Sequence, residues 1–182
     1  SYHELKEVYS NYPILKNNKM RNVVVEDSNS GYQFFSKVFS ESNVVSANGN
    51  SNIKNCVQNL GTGDTLVIAD GAAFGAMIEN CLEYFETQNH RRITIWLPES
   101  FEYLILRSGV IQSEELAQIL KFTSDYVECE KYESWEKYFT NLLILLTSDT
   151  LHKYSKRVLD KYYLQDRNVE KIISYFPDYM TV

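Results

Sequence analysis

Two short apolar runs that end in acidic residues constrain the fold of this chain more than any other feature. The first run, NVVVED, ends at Glu26 and Asp27, and the second, DTLVIAD, ends at Asp70. A polar or small-residue turn and then a helical pattern follow each run. Continuous β-branched runs are typical of parallel strands that are covered on both faces. Each run therefore predicts a buried strand with an acidic end.

Two further runs complete a repeating pattern of strands and helices. Asn43–Ala47 and Arg92–Leu97 predict strands, and apolar residues at helical spacing lie between the four runs. The clearest of these helical patterns covers Ile53–Leu60. Regular alternation of strands and helices is typical of a parallel sheet with helices on both faces. The predicted fold class is α/β, with a four-stranded parallel sheet and flanking helices.

The strand pattern disappears after Leu97. The segments with helical spacing are then Glu99–Arg107, Ser113–Lys121, Glu133–Leu146, Leu151–Leu164 and Val169–Phe176. We therefore predict an α/β domain over residues 1–108, led by a helical or irregular stretch over Ser1–Met20. An all-helical C-terminal extension over residues 109–182 is predicted to pack on it.

Composition and charge narrow the classes of function. The chain has 182 residues and a net charge of −6, which argues against a generally basic nucleic-acid coat protein. Acidity does not exclude an enzyme that approaches phosphates through a bound metal ion. Its three cysteines are widely spaced and form no CxxC motif, so we expect free thiols in a reducing, cytoplasmic compartment. No apolar run reaches the length of a membrane span, so no membrane partner is predicted.

The acidic strand ends predict a binding site. Open parallel sheets bind ligands at the carboxyl ends of their strands. Glu26, Asp27 and Asp70 fall at that edge, and Glu99 and Glu102 follow the fourth strand. Converging carboxylates repel each other unless a cation or protons compensate. Hard divalent ions with oxygen ligands supply that compensation, and Mg²⁺ uses only one or two carboxylates with waters and substrate phosphate.

This arrangement resembles the topoisomerase–primase (Toprim) domain, nearest to the small Toprim nucleases of the OLD and bacterial-defence type. That family has a glutamate after strand one, a DxD motif after strand three and often further acids after strand four. VVVED with Glu26 matches the first element, and LVIAD with Asp70 matches the start of the second. PESFE, with Glu99 and Glu102, supplies the third. The resemblance covers roughly Val23–Leu106.

The resemblance implies metal-assisted cleavage or transfer of nucleic-acid phosphodiesters, with Mg²⁺ or Mn²⁺ as cofactor. Glu26 would be the general base or a metal ligand, and Asp70 a metal ligand. Glu99 or Glu102 would complete the set of ligands. All four side chains are therefore predicted metal-site residues, and Glu26 and Asp70 are also predicted catalytic residues.

Two departures from the family pattern leave alternatives open. Ala72 stands where the second aspartate of DxD falls, and Asn29 stands at the glycine of the family's ExxG. One alternative is a catalytically degenerate binding or regulatory module of a mobile-element or defence system. Another is a small-molecule enzyme of a different α/β family that uses the same edge of the sheet. A partner protein and a homo-oligomer both remain open.

Simpler roles exist for the same acids. Asp27, Glu99 and Glu102 can complement the start of a following helix without any further function. The small residues after Asp70 permit a ligand to approach, but they also permit close packing of a helix. DGAAFG is neither a P-loop nor GxGxxG, and no GxSxG occurs, so a nucleotide-binding loop and a serine hydrolase are unsupported.

A second predicted site lies near the C-terminus. Basic residues interleaved with tyrosines occur at Lys153, Lys156, Arg157 and Lys161. Such a helix face is suited to a nucleic-acid backbone. The alternative is an ordinary solvated helix face.

Overall fold

The computed structural model describes residues 21–71, 77–121, 135–177 and 180. Its strands are β1 (Asn22–Val25), β2 (Asn43–Ser46), β3 (Thr65–Ile68) and β4 (Ile93–Trp96). They form one sheet in the order β2-β1-β3-β4, and every neighbouring pair is parallel. The predicted α/β class and four-stranded parallel sheet are confirmed.

Helices connect and follow the strands. They are α1 (Ser30–Val38), α2 (Ile53–Leu60), α3 (Ile78–Glu86), α4 (Phe101–Arg107), α5 (Glu114–Lys121), α6 (Trp135–Thr147) and α7 (Asp166–Ile173). A short 3₁₀ helix, Asn50–Asn52, leads into α2. Among the described helices, none has both the length and the apolar character to span a membrane.

Both faces of the sheet are covered, as the continuous apolar runs predict. Val23 and Val25 contribute to one hydrophobic cluster and Val24 to the other. All three side chains are at most 3% exposed. Successive residues of a strand point to opposite faces, so an uninterrupted valine run requires apolar packing on both sides.

The C-terminal helices share the core of the sheet. Phe139, Leu143 and Ile172 are fully or almost fully buried in the cluster that also contains Val23 and Leu66. Residues on both sides of the predicted boundary at residue 108 therefore form one apolar core. The division into two domains at that point stays a prediction.

The predicted all-helical character of the C-terminal part is not confirmed, because Leu151–Leu164 forms turns and irregular backbone rather than a helix. Two of its amides donate to side chains rather than to helical carbonyls: Tyr154 N–H to Thr147 Oγ1 at 2.9 Å and Leu159 N–H to Gln33 Oε1 at 3.1 Å. These bonds satisfy groups that a helix would have paired with its own backbone.

Exposure along this irregular segment explains why its sequence pattern misleads. Leu151 and Val158, two apolar residues of the predicted helix Leu151–Leu164, are 93% and 68% exposed. Apolar spacing alone cannot tell a helix from a segment whose buried residues follow an irregular path. The predictions for Ser1–Met20 and for residues 72–76 and 133–134 lie outside the described residues.

Candidate active site

The acids of the first and third strands lie at the point where the order of the sheet reverses. The chain leaves β1 toward β2 on one side and returns to β3 on the other. In open α/β sheets this switch point forms a crevice at the carboxyl ends of the strands. Glu26 and Asp27 follow β1, and Asp70 follows β3. The topology therefore brings the two acidic strand ends together, as predicted.

A cavity of about 70 Å³ opens at this crevice, and we call it the acidic pocket. Its acidic and basic lining residues are Glu26, Asp27, Asp70, Glu102, Glu136 and Lys156. The structure thus unites three of the four predicted metal-site residues. Glu99 is described but is not among the lining residues. Glu136 and the position of Lys156 in this pocket were not predicted.

Glu26 is held against the end of β3. Its Oε2 accepts the backbone N–H of Asp70 at 2.8 Å, and its own N–H donates to Ile68 O at 2.9 Å. Burial raises the pKa of the Glu26 carboxyl, although the Asp70 amide opposes the change. The nearby carboxylates of Glu136 and Asp27 raise it further. Glu26 therefore has an amide anchor on one oxygen and lies among like charges.

The Asp27 carboxylate accepts backbone amides at the start of helix α1. Its two oxygens accept the N–H groups of Gly31 at 3.1 Å and Tyr32 at 2.7 Å, in the first turn of α1. A Cβ atom at Gly31 would lie 3.1 Å from Asp27 Oδ2, closer than an ordinary contact, so glycine makes room for this carboxylate. Burial raises the pKa of Asp27, and the amide bonds oppose that shift. Asp27 therefore pairs with free amides at the start of α1 and also lines the acidic pocket.

Asp70 is the carboxylate most strongly affected by the pocket. Burial raises the pKa of Asp70 well above its ordinary value, and the negative charges of Glu102, Glu26 and Glu136 raise it further. Lys156 opposes this shift. The next residue is tied down, since Gly71 N–H donates to Pro98 O at 2.7 Å. An acid in such surroundings gains strongly from any added cation.

Glu102 enters the pocket from α4 and is only 2% exposed. The Tyr154 hydroxyl donates to Glu102 Oε1 at 2.8 Å. Ser30 Oγ lies 2.8 Å from the same hydroxyl oxygen and donates to it, because the tyrosine proton is already committed. A buried carboxylate needs such donors to remain in place. The chain Ser30–Tyr154–Glu102 thus fixes one oxygen of Glu102.

Glu99 lies outside helix α4. Ser100 is the N-cap, with its Oγ accepting the N–H of Tyr103 at 3.1 Å, so the helix begins at Phe101. The predicted helix over Glu99–Arg107 therefore starts two residues too early, and Glu99 and Glu102 do not share a helical face. A serine one residue later is the stronger start signal, because its hydroxyl satisfies a free amide. Glu99 is half-buried and adds to the effect of burial in raising the pKa of Tyr103.

Glu136 and Lys156 form an ion pair inside the pocket. Lys156 Nζ donates to Glu136 Oε1, and both side chains are partly buried, at 40% and 27% exposure. Burial lowers the pKa of Lys156, but the bond to Glu136 and the charges of Glu102 and Asp70 outweigh it and raise the pKa. Glu136 comes from the first turn of α6, far along the chain from β1 and β3. The sequence around Glu136 does not indicate a place in the pocket, since it shows only a single acid near the start of a helix.

The segment that carries Lys156 is fastened to the start of α1. Ser30 N–H donates to Lys156 O at 3.0 Å. The Gln33 side-chain amide donates to Arg157 O at 3.0 Å and accepts from Leu159 N–H at 3.1 Å. These three bonds place Lys156 at the pocket, and no local pattern predicts them.

The remaining predicted nucleic-acid-binding residues stay at the surface. Lys153, Arg157 and Lys161 are exposed, whereas Lys156 points into the acidic pocket. They lie on an irregular segment, so the prediction of one basic helix face is wrong. The same segment nevertheless carries exposed positive charge on both sides of the residue that enters the pocket.

The described residues offer two carboxylates for a divalent ion but no complete set of protein ligands. Among them, no group of three or more His, Cys, Asp or Glu side chains is arranged to hold a metal ion. An all-protein cage is therefore not formed by this part of the chain. Mg²⁺ needs only one or two carboxylates with waters and substrate oxygens. Glu26 and Asp70 match that smaller requirement, and the Lys156 ammonium is a cation already present among the same acids.

Comparisons with known proteins identify no family. No protein-family model, curated protein or solved structure matches this chain. The Toprim resemblance therefore stays a prediction, and function is inferred from the residues of the acidic pocket.

Proposed function

We propose that the acidic pocket binds a divalent cation, Mg²⁺ or Mn²⁺, and that the protein hydrolyses nucleic-acid phosphodiesters there. The observation that carries this proposal is the meeting of Glu26 and Asp70 at the switch point of the sheet, in one cavity with Glu102 and Glu136. Burial, and after it repulsion from neighbouring carboxylates, raises the pKa of Asp70, so the pocket is suited to positive charge. The proposed activity is the one that the Toprim resemblance implies, and Glu136 joins the acids that the resemblance named.

Each acid has a distinct part in the proposal. Glu26 and Asp70 would hold the cation, which supplies positive charge to a phosphoryl oxygen when bound. Glu26, whose pKa burial raises, is also suited to accept a proton from the attacking water. Glu102 lies with one oxygen fixed by Tyr154, which orients its carboxylate within the pocket lining.

Exposed basic residues provide the contact to nucleic acid in this proposal. Lys153, Arg157 and Lys161 would neutralise backbone phosphates on the surface beside the pocket. Affinity for a labelled oligonucleotide should then fall steeply as salt rises, since each phosphate contact releases counterions.

A cleavage assay with matched variants tests the proposal. Labelled DNA and RNA, single- and double-stranded, are incubated with the protein in Mg²⁺, in Mn²⁺ or in chelator. We expect metal-dependent cleavage that drops by more than about 100-fold in Asp70→Asn and Glu26→Gln. Asp64→Asn, at the other end of β3, should cleave normally. Cleavage in chelator, or activity retained by both site variants, would refute the proposal.

A binding or regulatory module without catalysis is the second candidate. Two observations favour it: Ala72 replaces an expected acid, and the described residues hold no group of three metal-ligating side chains. It predicts that the protein binds an oligonucleotide equally well with and without divalent cation, and that no product forms in any condition of the cleavage assay.

A further inference from the structure

The acidic pocket already contains a cation that belongs to the chain. In the part of its lining that the structure describes, Lys156 is the basic side chain, and its ammonium pairs with Glu136. The charges of Glu102 and Asp70 also act on this ammonium. It therefore lies among the same carboxylates that the proposed divalent ion would contact.

The backbone and the side chain of Lys156 are held differently. Its carbonyl is fixed by Ser30 N–H at 3.0 Å, and the next carbonyl is fixed by Gln33. Its side chain remains 40% exposed on a flexible four-carbon stem. The ammonium can thus leave the pocket toward solvent while the segment that carries it stays in place.

We propose that Lys156 is an internal counterion of the acidic pocket, and that a divalent cation held by Glu26 and Asp70 displaces its ammonium from the pair with Glu136. This inference rests on the proposed function. An ammonium and a divalent ion repel each other strongly within a cavity of about 70 Å³. The divalent ion compensates more carboxylate charge than one ammonium does.

Displacement would couple the cation to the surface. The released ammonium of Lys156 would join Arg157 and Lys153, which are exposed on the same segment. Positive charge beside the pocket would then rise only when the cation is bound. Loading of the pocket and attraction of a phosphate backbone would be linked through one side chain.

Lysine labelling of the unaltered protein is the first test. The protein is treated with acetic anhydride in NaCl or in Mn²⁺ at equal ionic strength, and acetylation of each lysine is measured by mass spectrometry. We expect Mn²⁺ to increase labelling of Lys156 several-fold. Lys171, an exposed lysine of α7 that is not among the described lining residues of the pocket, should be labelled equally in both conditions.

Calorimetric titration with Mn²⁺ is the second test. Lys156→Met should bind Mn²⁺ at least about tenfold more tightly than the unaltered protein, because one competing positive charge is removed. Lys156→Arg keeps the charge and should bind about as weakly as the unaltered protein. Lys171→Met makes the same change in net charge elsewhere and should leave the affinity unchanged.

The outcomes separate this inference from the proposed function. Unchanged labelling of Lys156 in saturating Mn²⁺, or equal affinities of the unaltered protein and Lys156→Met, overturns the counterion role alone. Failure of both proteins to bind Mn²⁺ overturns the proposed cation site and this inference with it. Labelling decides the matter if Lys156→Met does not fold.

Discussion

The two ends of strand β3 each have an aspartate, and their surroundings are opposite. Asp64, before the strand, accepts the backbone N–H of Arg92 at 2.9 Å and its guanidinium at 2.8 Å. Burial acts to raise the pKa of Asp64, but the bonds and charge of Arg92 bring it below the ordinary value. Asp70, after the strand, faces other carboxylates, and its pKa is raised.

The contrast shows which acid serves the fold and which is suited to a ligand. Asp64 joins the starts of β3 and β4 through one neutralising partner, so its charge is already satisfied. Within the described lining of the pocket, Asp70 shares the basic side chain of Lys156 with several other carboxylates. Like charges held together without full compensation oppose folding, and such sites are candidates for function.

Affinity for a divalent cation should distinguish Asp70 from Asp64 most strongly. Asp70→Asn is expected to weaken Mn²⁺ binding by more than about 100-fold. Mutation of a residue that only hydrogen-bonds to a metal ligand already lowers metal affinity by about 10- to 100-fold, and a direct ligand should matter more. Asp64→Asn should leave affinity within about twofold, because Arg92 already occupies that carboxylate. Isothermal titration calorimetry measures both. Equal losses in the two variants would contradict the division of roles.

The buried support of Glu102 should give the largest change in stability. Tyr154→Phe removes the hydroxyl that donates to Glu102 and should lower the free energy of unfolding by about 1.5–3 kcal/mol. Tyr162→Phe is the control, since its hydroxyl makes only a 3.4 Å contact with Val110 O. Urea denaturation compares them. Similar losses would show that the bond to Glu102 has no special weight.

Asp70→Asn should stabilise the protein at neutral and alkaline pH. The raised pKa means that the folded protein holds this proton longer than the unfolded chain, so stability falls as pH rises from the ordinary value of 3.8 through the folded pKa. The asparagine side chain does not ionise, so the variant does not lose this stability as pH rises. In chelator at pH 8, its melting temperature should exceed that of the unaltered protein by a few degrees. About 1 kcal/mol corresponds to 2–4 °C at this chain length. No difference at pH 8, or a lower value, would argue against the crowding of acids in the pocket.

Asp64→Asn should show the opposite and smallest effect. A lowered pKa contributes stability above the ordinary value of 3.8, and this contribution is lost as pH falls through the folded pKa. The variant should therefore lose up to about 1 kcal/mol at pH 7, as expected for a partly exposed ion pair. The difference should shrink below pH 4. Thermal melts over a pH series measure it, and a loss that grows on acidification would contradict this assignment.

The sequence by itself determined the sheet and its acidic edge. Uninterrupted apolar runs can be buried only between two layers of helices, and alternation with helices makes the strands parallel. Glu26 and Asp70 then reach the same edge because parallel strands end together. The bounds of α2, Ile53–Leu60, follow equally well from local spacing.

Only the tertiary structure decided how that edge is completed. Glu136 and Lys156 reach the pocket because α6 packs into the core and Gln33 binds the backbone at Arg157. The bond between Gln33 and Arg157 joins residues that are 124 positions apart in the sequence. Local periodicity reports which residues are buried over one or two turns, whereas convergence of distant segments depends on packing and hydrogen bonds that no short pattern records.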